Sequence, residues 1–306
     1  MPSNLPVPDA VGIYGFPDDL IRAHDQWQRE LRESESDNEL IEIIAPETGY
    51  SLRIRRRAPQ GNRVTVAIEP HNDDLVLSAG GALLRDPKPL IVITVFSQSD
   101  DVHPSSRFAG GSLERISNLR NRETDASLMP LNATHYPLDF KDSSKPYGRI
   151  ESRKYNEIVT AIGEVLSTVA PASGYDLIAP AGVTRHPDHL AIYEAATQFG
   201  CRTFWDDTAF YPTYAASFDD RHLFELRVGN RFTPRYVDIT ESVLDKLTLL
   251  YMYESQMQPK SEMYRVIRYN WTVASAASTT GGTFRGVYAE RFFEVIEAGA
   301  RDYCRP

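Results

Sequence analysis

The chain has 306 residues, of which 42% are hydrophobic and 25% charged; this balance excludes a disordered chain and leaves ample material for a core. A formal net charge of -9 repels nucleic acid and anionic lipid, so neither is an expected partner. Two cysteines make no disulfide framework, no apolar run approaches a membrane span, and Met1 to Pro8 lacks the basic and apolar regions of a secretory signal, so a cytoplasmic protein is expected.

Asp18 to Arg32 reads as a helix with Leu20, Ile21, Trp27 and Leu31 on one face. Leu40 to Ile44 and Tyr50 to Ile54 flank a Pro-Glu-Thr-Gly turn and read as a hairpin. Arg53, Arg55, Arg56 and Arg57 follow; the negative total charge favours a solvated strand face or protected edge over a phosphate patch. From there the pattern alternates. Val64 to Glu69, Leu90 to Phe96, Thr134 to Leu138 and Tyr175 to Ala179 read as strands, while Leu75 to Arg85, Ser112 to Met129 and Asn156 to Val169 read as helices. Such alternation predicts a mostly parallel sheet with helices on both faces. Further on, Leu223 to Val228 and Tyr236 to Ile239 look like strands. Thr240 looks like the N-cap of a helix through Val243, Leu244, Leu247 and Tyr251. Thr279 to Gly282 is a small-residue stretch, and Val287 to Ile296 contains a terminal strand.

Two short segments concentrate chemistry. Glu69-Pro70-His71-Asn72-Asp73-Asp74-Leu75 ends the first strand of the alternating region and opens a helix, and His186-Pro187-Asp188-His189 follows the Tyr175 to Ala179 strand. Together they hold three of the chain's seven histidines, where sites gather in open α/β sheets. Either segment alone is ambiguous: an Asp-Asp pair serves as a turn or helix cap, and a lone HxxH is often incidental. Jointly they offer the three His and carboxylate ligands of a catalytic metal site. Gly80 and Gly81 lie inside the following helix. They cost ~1 kcal/mol each relative to alanine, which a close approach of helix and strand offsets.

At these residues the sequence resembles the PIG-L/LmbE-like metal-dependent deacetylases. Their first motif, His-Pro-Asp-Asp-Glu before a Gly-Gly pair, corresponds to His71-Asn72-Asp73-Asp74-Leu75 with Gly80-Gly81, and their second, His-Pro-Asp-His, is intact at His186 to His189. Arg120-x-x-Glu123, Asp238-Ile239-Thr240 leading to a helix ending in Glu254-Ser255-Gln256, and Tyr288-Ala289-Glu290-Arg291-Phe292 add weaker similarities. The resemblance runs from about residue 62 to about residue 296, which divides the chain into an extension of residues 1–61 and a deacetylase domain of residues 62–306.

The resemblance implies a Rossmann-like α/β fold and one zinc ion (Zn2+) per chain. His71, Asp74 and His189 would be its ligands, Asp73 the general base, and His186, if protonated, the donor to the oxyanion. Asp188 would orient one of the histidines. The implied reaction removes an N-acyl group, chiefly acetyl, from an amino sugar or sugar conjugate. The loop Ser97 to Gly111, with His103, and the helix residue Arg120 are the candidate substrate contacts. Tyr251, Tyr253, Tyr264, Tyr269 and Trp271 read as core, or as a platform for a sugar or aryl group. Asn72 replaces the motif proline and gives up its fixed φ; Leu75 replaces the motif glutamate and removes a carboxylate near the site. These departures keep open a degenerate member that binds a sugar-like ligand without hydrolysis. A metal-dependent phosphoesterase is a further, less favoured alternative, because two-metal sites usually need more bridging carboxylates than the two segments offer. Whether the chain forms a homo-oligomer is left open.

Overall fold

The computed structural model describes residues 16–33, 40–56, 58–104, 106–143, 149–169, 174–184, 186–208, 232–257, 261–279 and 284–296. Helix α1 (Phe16–Glu33) precedes a hairpin of β1 (Leu40–Ile44) and β2 (Ser51–Arg55). Next come β3 (Val64–Glu69), α2 (Asp74–Arg85), β4 (Leu90–Thr94), α3 (Leu113–Leu128), β5 (Ala133–Pro137), α4 (Ser152–Val169) and β6 (Tyr175–Pro180). The remainder is α5 (Pro187–Gln198), β7 (Thr203–Trp205), β8 (Phe232–Asp238), α6 (Val243–Leu250), α7 (Ser261–Thr279) and β9 (Ala289–Val295).

Seven strands form one sheet in the order β5-β4-β3-β6-β7-β9-β8. The first five are mutually parallel, while β9 runs antiparallel to both β7 and β8. Strand β3 shows why. From Thr65 to Glu69 every residue is buried, as a strand covered on both faces must be. Its side chains divide by period two: Ala67 joins the apolar cluster shared by α1, α2, α6 and the hairpin, whereas Val66 and Ile68 join the cluster under α4 and α5. The sequence-predicted fold class therefore holds. Strand order reverses at β3, with β4 on one side and β6 on the other. The crevice at the carboxyl ends of β3 and β6 is thus the topological switch point where ligands of such sheets bind.

The N-terminal elements share this core. Leu20, Trp27, Leu31, Ile43, Leu52 and Ile54 lie in the same apolar cluster as Leu75, Leu244 and Leu247. The arginine run does local work: Arg53 Nη1 donates to the Leu31 and Arg32 carbonyls at the end of α1, and Arg55 stacks over Trp27 at 4.9 Å. Arg57 lies outside the described residues.

Gly81 marks a close contact, though with a different partner from the one expected. A Cβ there would lie 2.8–2.9 Å from the Ile239 side chain, so α2 packs on the residue that follows β8. Thr240 is not the cap of α6. The helix starts after Ser242, because the Thr240 hydroxyl is taken by the Val287 and Tyr288 N–H groups. That helix also ends at Leu250, and Glu254 to Gln256 lie in the turns beyond it. Tyr251, Tyr253, Tyr264 and Tyr269 are buried, which decides for core packing over an exposed platform. Helices α5 and α7 and strand β7 add to the expected elements; the expected strand Leu223 to Val228 and residues 280–282 fall outside the described residues. No helix among the described residues is long and apolar enough to cross a membrane.

Candidate metal centre and active site

Chain direction builds the site. Strand β3 ends at Glu69, and the turn Pro70 to Asp73 delivers His71, Asp73 and Asp74 to the first turn of α2. Beyond β6, α5 opens with Pro187 at its first position, as suits a residue without an N–H. His186 caps this helix through Nδ1, which accepts the Asp188 N–H at 3.3 Å. Both motifs thereby converge at the switch point.

Asp74 is the hub. Its Oδ2 lies 3.1 Å from His71 Nδ1 and 3.4 Å from His189 Nε2. The far nitrogen of each ring is held by another carboxylate: His71 Nε2 by Asp188 Oδ2 at 3.1 Å, His189 Nδ1 by Asp207 Oδ2 at 2.8 Å. Asp188 thus lies against His71, one of the histidines it was expected to serve. Carboxylates behind imidazoles fix ring orientation, so His71 Nδ1 and His189 Nε2 are the nitrogens that face Asp74. His189 Nε2 is buried and finds no hydrogen-bond partner. An orphaned nitrogen is costly to bury; opposite a carboxylate and a second imidazole, it is explained by a cation.

A second grouping, His71, His186 and Asp188, also brings ligand atoms close together. It fits a cation less well, because Asp188 is already spent. Its Oδ2 accepts from His71 and from the Ser143 N–H, and its Oδ1 accepts from the Ser143 hydroxyl at 2.5 Å.

The electrostatics agree. Burial works against a charge on His71, but Asp188 and Asp74 outweigh it and lift the imidazole to about 10. Burial would raise Asp74, yet His189 and His71 hold it below the usual carboxylate range. Protons on the imidazoles occupy the place that a dication takes when it binds and expels them. His186 differs: burial, His71 and His189 push it down to about 3. With Nδ1 accepting a backbone N–H, the neutral ring carries its proton on Nε2. The neutral ring thus offers a donor, where the sequence reading had a donor only if the ring is protonated.

Asp73 lies beside the hub and stays off it. Burial raises its pKa, opposed by Arg120, whose Nη2 is 3.5 Å from Asp73 Oδ1. Arg120 is only 4% exposed and also donates to Ser99 Oγ at 2.8 Å and to the Asp101 carbonyl. The guanidinium therefore faces Asp73 rather than solvent. His103 is half-buried and donates its backbone N–H to the Ser255 carbonyl.

Both departures sit in hydrogen-bonded or packed surroundings. Asn72 is fixed by side-chain donation to Asn121 at 2.8 Å and by its carbonyl, which accepts from Thr124. Leu75 is core, but a carboxylate still reaches its turn: Glu69 Oε2 accepts the Leu75 N–H at 3.0 Å and Oε1 the Thr94 hydroxyl at 2.5 Å. Asp207 was not anticipated at all. It follows the three-residue β7 and accepts from Val183 N–H and Thr184 Oγ1 as well as His189.

Comparison with known proteins settles the lineage. The PIG-L model, described as GlcNAc-PI de-N-acetylase, matches residues 66–199. The 2'-N-acetylparomamine deacetylase of Streptomyces fradiae is 30% identical over 270 residues, covering 81% of this chain and 95% of the relative. The chain belongs to the PIG-L family. Among solved structures, the zinc-inhibited form of teicoplanin deacetylase Orf2 aligns with a TM-score of 0.55 at 20% identity, over 76% of this chain and 98% of the other. The A40926 pseudoaglycone deacetylase Dbv21 aligns at 0.56 and 23% identity, over 79% and 98%. GalB of Pseudomonas putida, a 4-carboxy-2-hydroxymuconate hydratase, aligns at 0.51 and 14% identity over 77% and 96%, so this fold also carries other chemistry. As a PIG-L protein with a deacetylase relative along most of its length, the chain is an enzyme of the hydrolases that cleave carbon–nitrogen bonds outside peptides.

Proposed function

We propose that this PIG-L protein is a zinc-dependent N-deacetylase of an N-acetylated amino sugar or a small conjugate bearing one. The observation that carries it is the convergence of His71, Asp74 and the orphaned His189 Nε2, with Asp73 alongside but unattached. Those three residues would hold one metal ion. A bound zinc supplies a Lewis acid and a water acidified to a pKa of about 7. Asp73 accepts the proton of the attacking water and returns it to the leaving amine as the amide C–N bond breaks. Arg120 keeps that carboxylate aimed and charged. The Nε2–H of His186 donates to the oxygen that gains negative charge, a contact whose loss typically costs ~10²–10³ in rate. The substrate class is supported by the name and 30% identity of the S. fradiae relative.

The test assays acetate release from N-acetylated amino sugars together with metal content. A chelator should abolish turnover and added zinc restore it. His189→Ala should lose the metal. Asp73→Asn should keep the metal and lose about 10²–10⁴ in kcat. Metal-free protein with full turnover, or an undiminished Asp73→Asn, overturns the reading.

A further inference from the structure

Asp73 occupies the N-cap position of α2, where an aspartate side chain ordinarily bends back to accept the N–H of the second or third helical residue. Here it makes no capping bond. Leu75, the second residue of the helix, gives its N–H to Glu69 Oε2 at 3.0 Å instead. Glu69 stands at the end of β3, fully buried, with its other oxygen fixed by Thr94 on β4 at 2.5 Å. Asp74 N–H is taken by the His71 carbonyl, and Leu77 N–H by the Asp73 carbonyl. The N–H groups of Asp74, Leu75 and Leu77 are thus held without the Asp73 carboxylate, which is left to Arg120 and the reaction.

We infer that Glu69 is a positioning residue: it caps α2 from the neighbouring strand in place of Asp73, so that the Asp73 carboxylate stays free to act as base. A buried helix end needs its N–H groups satisfied. Without an acceptor from Glu69, the Asp73 side chain at the N-cap is the group that the chain places to take the Leu75 N–H. Capture by Leu75 N–H would turn the base away from the attacking water, and a displacement of about 1 Å there can cost ~10²-fold. The inference rests on the deacetylase reading and on Asp73 as its base.

The experiment is a double-mutant cycle on zinc-loaded enzyme, with metal content and KM measured alongside kcat. Glu69→Ala should lower kcat by about 10–100-fold with KM and metal affinity little changed. Glu69→Gln, which still offers an oxygen to Leu75, should recover most of that loss. In the residual turnover of Asp73→Asn, Glu69→Ala should add little, because both act through one carboxylate. A crystal structure of metal-free Glu69→Ala should show Asp73 turned onto the Leu75 N–H. Should the alanine variant fail to fold, Glu69→Met fills the volume without an acceptor and takes its place. Equal losses in both backgrounds, or an unmoved Asp73, overturn the inference. A fully active Glu69→Ala beside a crippled Asp73→Asn overturns it alone; a fully active Asp73→Asn overturns the base assignment and the inference with it.

Discussion

Asp207 is the residue on which His189 depends. Its Oδ2 accepts His189 Nδ1–H at 2.8 Å and leaves Nε2 to face Asp74. Asp207→Ala should therefore weaken zinc affinity by about 10–100-fold, measured by chelator competition; an unchanged affinity would show that packing alone orients the ring. Glu123 offers a test away from the metal. It is buried beside Ser255, which gives it both N–H and hydroxyl, and burial pushes its pKa from 4.5 up to about 8. A carboxyl raised in the folded state binds more protons folded than unfolded between those values. Its contribution to stability is therefore full below pH 4.5 and declines as pH rises toward 8. Glu123→Gln removes that decline and should raise Tm by about 2–4 °C at pH 9 while changing little at pH 5. Thermal unfolding at the two pH values decides. At this scale the sequence was informative wherever chemistry is contiguous: His71, Asp73, Asp74, His186, Asp188 and His189 all meet in one crevice. Asp207 was illegible because it sits in an Asp-Asp-Thr that reads as a turn, and its partner is 18 residues away.

Elements were legible in proportion to their periodicity. Strand β3 and helix α4 carry clean apolar patterns and emerge where the sequence puts them. Helix α5 was hidden because its first turn is the second motif, and β7 because three residues show no alternation. The two glycines of α2 were read together, and the structure separates them. A Cβ on Gly80 meets only Val76 Cγ1 at 3.3 Å and the Lys246 stem at 3.8 Å, whereas on Gly81 it would collide with Ile239 below 3.0 Å. Gly81 N–H also donates to Glu290, which pairs with the buried Lys246 at 2.7 Å. Gly81→Ala should destabilise by about 1–3 kcal/mol despite its better helix propensity. Gly80→Ala should come out near neutral. Urea unfolding of the two variants makes the comparison, and equal effects would show that α2 can shift off Ile239.

Over the whole molecule, the N-terminal elements brace the site from behind. His24 and Gln28 of α1 bond the Thr248 hydroxyl of α6, and His24 stacks on Tyr251. The hairpin turn gives Glu47 and Thr48 N–H groups to Glu254. The next residues carry the contact inward: Ser255 binds Glu123, and Gln256 donates to the Asp101 carbonyl that Arg120 also uses. Removing residues 1–61 should therefore lower Tm sharply and reduce turnover in whatever remains soluble. A fragment with undiminished Tm would show that the extension is dispensable to the core.

Among the described residues strand β9 comes last in the sequence, and yet it lies inside the sheet, between β7 and β8. On the ribosome, β8 is finished at Asp238 long before β9 begins at Ala289, and β9 is its one partner among the described strands. Arg291, which clamps the Asp206 carboxylate beside Asp207, arrives with it. A nascent chain thus possesses the candidate metal ligands before β9, the described strand that flanks β7 on that side, has been made; an unpaired edge is the kind of surface that recruits other strands. A chain cut before Ala289 would therefore carry the candidate site residues on a sheet that lacks β9, and it should aggregate more readily than the full chain.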